Sequence, residues 1–188
     1  MGQIKKNSMA TKDMVETALM AAIIFVATFA MQIKTGNGYI HPGDAMVFVA
    51  TIILSRKKSV LAAAIGMGLA DLLSGYAVWA PFTLVIKAVM AYIAARIAHR
   101  KYNNGTNIAN NVFAFIVAGV WMVAAYFGAG IIVDIILSSG QMSIYAALLD
   151  CAKGVIGNVI QAGFGVIVGT ILSQILINAL KIKTSKNN

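Results

Sequence analysis

The stretch Asp71–Lys87, DLLSGYAVWAPFTLVIK, sets an acid and a base inside two apolar runs, and the short link between the runs carries Tyr76, Trp79 and Pro81. Ionisable groups within membrane spans cost about 2.5–3.5 kcal/mol each on insertion scales and usually face a cavity or a partner. The link therefore reads as the bend between two helices, with Asp71 and Lys87 marking something polar beside it.

The rest of the chain is equally apolar. Of its 188 residues, 60% are hydrophobic and 11% charged, with a mean hydropathy of +0.82. Such a composition lies outside the soluble range and predicts an all-α, polytopic membrane protein. The polar start at Gly2–Asp13 runs straight into a full-length apolar segment with no cleavage pattern, so the first helix is expected to be retained. Cys151 is the only cysteine. That excludes an intrachain disulfide, and Asp150 and Lys153 beside it do not make a zinc site.

The net charge of +9 matters less than its placement. Most of the Lys and Arg fall in four clusters at the ends of apolar segments: Lys5, Lys6, Lys12; Arg56, Lys57, Lys58; Arg96, Arg100, Lys101; and Lys181, Lys183, Lys186. Cytoplasmic loops and tails carry such an excess. None of the clusters interleaves aromatics with base, so the expected partner is anionic lipid or a cytoplasmic protein, not nucleic acid. His99 sits among the third cluster and is expected to be solvated, and Asn104-Gly105-Thr106 is read as a turn.

With about 20 apolar residues per span, six segments qualify, near residues 14–33, 41–55, 59–75, 82–100, 108–129 and 148–178, the second being short and the last long. If all four basic clusters are cytoplasmic, parity gives a bundle of six transmembrane helices with both termini inside, and residues 1–188 form one domain. The outer connections are then 34–43, 74–81 and 130–147, the last of which is apolar for a loop and is expected to lie at the interface or form a short helix. Pro42 and Pro81 fall at helix starts, where proline is tolerated. Close helix approach in lipid relies on small residues four apart, as at Ala18 with Ala22, Ala62 with Gly66 and Ala70, Ala91 with Ala95, and Gly165 with Gly169.

Polar groups converge on the outer half. Asp44 opens the second helix, Asp71 and Lys87 flank the second outer bend, and Lys153, Asn158 and Gln161 descend the sixth helix. Asp150, Gly154, Gly157, Gln161 and Gly165 recur every three or four residues and share one inward face. With Tyr39, His41, Tyr76 and Trp79 in the loops above, the pattern is an aromatic-roofed, polar-lined pocket for a small, flat, polar molecule. Two readings of Asp71 and Lys87 stand, mutual neutralisation and ligand contact. No phosphate loop, nucleophile elbow or zinc-binding His pair occurs, and the acids are scattered. No enzyme, no ATPase of its own and no bound cofactor or metal is expected.

These features resemble the substrate-binding S component of an energy-coupling factor (ECF) vitamin transporter. ALMAA at Ala18–Ala22 matches the small-residue motif by which such components dock on the membrane scaffold. GYIHPGDAMVFVATIIL at Gly38–Leu54, GLADLLSGYAVWAPFTLVIKAVMAYIA at Gly68–Ala94 and KGVIGNVIQAGFG at Lys153–Gly165 resemble the group linked to pyridoxine (vitamin B6) and hydroxymethylpyrimidine. The resemblance implies an importer subunit in a bacterial plasma membrane that captures a vitamin from outside. It implies a transmembrane scaffold and two cytoplasmic ATPases as partners, which use the ATP, and a toppling of the bundle that delivers the ligand. Lys34–Gly43 would then be a lid hinged at Gly36, Gly38 and Gly43. Trp79 would stack on a heteroaromatic ring while Lys87 and Asn158 hydrogen-bond to it, with Asp44, Asp71, His41, Tyr126, Lys153 and Gln161 completing the site. The alternatives are an S component for riboflavin or thiamine, a proton-coupled carrier with an Asp71–Lys87 relay, and a scaffold without ligand.

Overall fold

The computed structural model describes residues 2–35, 38–100 and 103–180, with side chains from Ala10 onward except that of Thr35. Gly36, Lys101, Lys181, Lys183 and Lys186 lie outside the described residues, as do the side chains of Lys5 and Lys6. Six helices follow in order: α1 (Gly2–Phe29), α2 (Gly43–Ile53), α3 (Arg56–Leu73), α4 (Ala80–Ala98), α5 (Ile108–Leu137) and α6 (Ile144–Ala179). A two-stranded ribbon, β1 (Ile33–Thr35) antiparallel to β2 (Gly38–Ile40), lies between α1 and α2. The all-α expectation therefore gains one correction. The ribbon is local, and the first segment ends at Phe29 rather than residue 33.

Among the described residues, three helices, α4, α5 and α6, are long and apolar enough to cross a membrane. Large apolar side chains also stand exposed at helical spacing on α1 (Val15, Leu19, Ile23, Val26) and α3 (Leu61, Ile65, Leu69, Leu72). Water would not tolerate so much exposed apolar surface. At 11 residues, α2 spans only about 16 Å and is nearly all buried. The neighbours run α1, α3, α4, α5, α6 in sequence, and α2 closes the ring while also touching α3 and α4. Two apolar clusters result, one joining α2 to α4, α5 and α6 around stacked Phe48 and Phe115, with ring centroids 4.3 Å apart, and one joining α1, α2, α3 and α4 around Ile24 and Met67.

Local chemistry explains the boundaries. A proline in its first turn opens α4. Asn107 caps α5 by accepting the Asn110 N–H (2.9 Å), and Ser143 caps α6 by accepting that of Ala146 (3.3 Å). Gly75, at φ +87°, ends α3 with the Tyr76 N–H bonded to the Asp71 carbonyl (2.9 Å). The fifth and sixth segments overrun their expected ends at residues 129 and 148, because only Ser138–Ser143 has turn chemistry and the apolar residues on either side stay helical. The third outer connection is therefore a tight turn, and α5 and α6 reach about 45 and 54 Å.

Small residues set several approaches. A Cβ on Gly66 would come within 2.6 Å of the Ala21 carbonyl, and one on Gly169 within 3.0 Å of Phe48 Cβ. Gly43 belongs with these. A Cβ there would run into Thr28 Oγ1 and approach Met67 Cε to 2.9 Å, so this glycine seats α2 on α1 and α3, in contrast to the hinge expected of it.

Candidate functional site

The ribbon, the α3–α4 bend and the upper turns of α5 and α6 enclose a cavity of about 880 Å³. Its roof is aromatic. Tyr39 and Tyr76 lie with ring centroids 5.1 Å apart at 45°, and Trp79 and Tyr126 lie 6.2 Å apart at 49°. Trp79 reaches over Gly130, where a Cβ would be 3.6 Å from its ring.

One wall is a chain of hydroxyls and a carboxylate. The Tyr39 hydroxyl donates to Asp71 Oδ1, and the Thr83 and Tyr126 hydroxyls are 3.1 Å apart. Burial first, then the Asp71 carboxylate, push the Tyr39 hydroxyl pKa well up, which keeps it a donor. His41 rounds off the corner. Burial lowers its pKa to about 4, and in the neutral ring Nδ1 accepts the Gly43 N–H (3.2 Å), leaving the proton on Nε2.

Beneath lies a dry ionic floor. Lys87 Nζ donates to Asp44 Oδ1 at 2.5 Å, both side chains being 0% exposed. Gln161 Nε2 donates to Asp44 Oδ2 at 2.8 Å, while Gln161 Oε1 accepts the His41 backbone N–H at 3.3 Å. Lys87 also meets Met122 Sδ at 3.0 Å and sits 5.3 Å from the centre of the Tyr126 ring. Each charge in this layer thus has a partner, as burial demands.

Trp79, Asp71, His41, Tyr126, Lys153, Asn158 and Gln161 all line the cavity. Lys87 and Asp44 do not line it but lie below. The mutual neutralisation read for Asp71 and Lys87 is replaced by two other pairings, Lys87 with Asp44 and Asp71 with Tyr39, because the short α2 carries Asp44 into the centre of the bundle. A proton relay built on an Asp71–Lys87 pair has no such pair to use. Lys153 stands at the rim, bonded to Asp150 at 2.8 Å and largely exposed. Ala18 and Ala22 are remote from the cavity and exposed on α1.

Sequence reasoning placed neither Thr83 nor Asp134 in the site, and weighed Cys151 only as a disulfide or zinc residue. Cys151 Sγ donates to Asp134 Oδ2 at 3.2 Å, and both line the cavity near its rim. Asp134 is an acid within the apolar run IIVDIIL, the same kind of signal that marks Asp71, and it falls in 130–147, read above as a connection.

The arrangement sets aromatic faces around the cavity and offers carboxylate, hydroxyl, amide and imidazole groups in its lining. A Pyrococcus woesei protein described as an uncharacterised protein in gap 3' region is 27% identical over 144 residues, which are 77% of this chain and 91% of the relative. The family model for the ECF-type riboflavin transporter S component matches residues 8–178, reaching into every helix, and the chain belongs to that family of substrate-binding subunits of membrane transporters.

Proposed function

We propose that the chain binds riboflavin, or a flavin close to it, from the outer side of the membrane and passes it to an ATP-driven module. The observation that carries this reading is the aromatic-roofed cavity of about 880 Å³, near the upper end of the ~300–1,000 Å³ of small-molecule sites. Three fused rings with a polyhydroxyl chain suit that space and its many polar edge groups. A single pyridine or pyrimidine ring would leave much of it unfilled. The matching family model is described as that of the riboflavin transporter S component, which supports this reading and leaves the pyridoxine and hydroxymethylpyrimidine reading of the α2 and α3–α4 runs uncontradicted.

In this reading the chain crosses the bilayer six times, the second crossing made by the short α2 together with the ribbon before it, and both termini are cytoplasmic. The support is that Lys12, Arg56, Lys57, Lys58, Arg96 and Arg100 gather at the bundle end opposite the cavity. Trp79 stacks on the ring system while Asn158, Asp71 and His41 address its edge. Lys87 and Asp44 hold the floor rather than touch the ligand. The exposed Ala18 and Ala22 offer a smooth strip for the transmembrane scaffold, which joins two cytoplasmic ATPases.

Titrating the purified chain into riboflavin and following flavin fluorescence tests this directly, with pyridoxine, pyridoxal, hydroxymethylpyrimidine and thiamine as competitors. Submicromolar quenching that only flavins relieve is the expected result. Silence toward riboflavin with tight pyridoxine binding would sink the assignment. Trp79→Ala should weaken flavin binding about tenfold, since an aromatic pair is worth ~0.5–1.5 kcal/mol beyond its buried area, and leave the melting temperature nearly unchanged. Ala18→Leu with Ala22→Leu should leave flavin binding intact but prevent co-purification with the scaffold. Retained assembly would place the docking strip elsewhere.

A further inference from the structure

At the bundle end opposite the vitamin cavity, a second cavity of about 380 Å³ opens between the α2–α3 turn and the end of α4, lined by Leu54, Ser55, Arg56, Lys57, Arg96 and His99 among others. We propose that it binds the phosphate of an anionic lipid headgroup.

The argument begins with unbalanced charge. The chain has six acidic residues, and each is engaged elsewhere: Asp13 and Glu16 with Lys58, Asp44 with Lys87, Asp71 with Tyr39, Asp134 with Cys151, and Asp150 with Lys153. Among the described residues, Arg56, Lys57 and Arg96 meet no carboxylate. Their counter-charge comes from outside the described residues.

Helix polarity adds to this. Arg56, Lys57 and Lys58 occupy the first turn of α3, which holds no acid, and Ser55 makes no side-chain cap bond there. Cations at a helix N-terminus oppose its dipole, whereas a phosphate is favoured by it. An anion in the cavity relieves both defects. Guanidinium groups match phosphate oxygens in geometry, and two lie on this rim.

The surroundings favour a lipid as the source. Arg56 packs over the ring of Tyr92, 5.3 Å from its centre, and that ring is half exposed on the apolar flank of α4. His99 is not solvated as its neighbours suggested. Its Nε2 lies 2.8 Å from the Thr51 carbonyl and so donates to it, which fixes the inner wall of the cavity. Basic pockets between membrane helices on the cytoplasmic side recognise such headgroups.

Native mass spectrometry of the full chain from mixed phosphatidylglycerol and phosphatidylcholine nanodiscs tests the site, with inorganic phosphate exchanged for chloride at constant ionic strength as a second arm. Preferential retention of one phosphatidylglycerol, reduced roughly tenfold or more in Arg56→Gln/Arg96→Gln, is the expected result. Arg56→Lys/Arg96→Lys should recover much of it, and Lys12→Gln should match the parent. Thermal protection by inorganic phosphate without lipid preference would still support the phosphate site and identify the free anion as its source. Equal retention of both lipids with no phosphate effect, or unchanged retention in the glutamine variant despite a native circular dichroism spectrum, overturns the proposal.

Discussion

Lys87→Met should destabilise the bundle by about 3–5 kcal/mol, the usual consequence of removing one partner from a buried ion pair. Asp44 would stay 0% exposed, with the Gln161 amide as its remaining side-chain donor. The observable is a large drop in melting temperature for the detergent-solubilised chain. Adding Asn at position 44 should restore most of the loss, because Asn removes the stranded charge while its carbonyl oxygen still accepts from Gln161 Nε2. The double variant also separates support from contact. If Lys87 only braces the floor, Lys87→Met/Asp44→Asn regains riboflavin affinity along with stability. A double variant that folds normally but binds at least tenfold more weakly would place Lys87 on the ligand. A single variant that melts with the parent would contradict the buried pair itself.

Much of this site could be read from residue order alone, because buried polarity is rare in an apolar chain. Asp44, Asp71, Lys87 and Gln161 stand out for that reason, and the periodicity of α6 places Gln161, Gly157 and Gly154 on one face. Pairing was harder. Which acid meets Lys87 depends on how deeply the 11-residue α2 sits, and depth is a property of packing among helices distant in sequence. The ribbon was missed because three-residue strands carry too little alternation to register. The overrun of α5 and α6 had a readable cause, since residues 130–137 offer neither proline nor a turn cluster. Assuming that helices stop near the bilayer edge hid it, and Asp134 with it.

Gly165→Leu should damage binding and stability together, because this one glycine on α6 serves both the bundle and the pocket floor. A Cβ at this position would lie 3.1 Å from Asp44 Cβ, 3.4 Å from Phe48 Cε2 and 3.7 Å from the Ala45 nitrogen. These neighbours are the Cβ of a buried carboxylate, a fully buried ring and the backbone of α2, not flexible tips. Overpacking of this kind typically costs about 1–3 kcal/mol, occasionally more, and Leu adds three carbons beyond the Cβ already in contact. The strain is relieved by moving α6 away from α2. Gln161 lies one turn above Gly165 on the same face, so that movement also stretches its 2.8 Å bond to Asp44 and loosens the His41 corner. Melting temperature and riboflavin affinity should therefore fall together, unlike Trp79→Ala, which lowers affinity alone. Gly163→Leu is the matched control, since a Cβ there meets nothing within 4 Å and the larger side chain projects from an exposed position. If Gly163→Leu and Gly165→Leu lose stability equally, the cost belongs to helix chemistry in general and not to the α2–α6 contact.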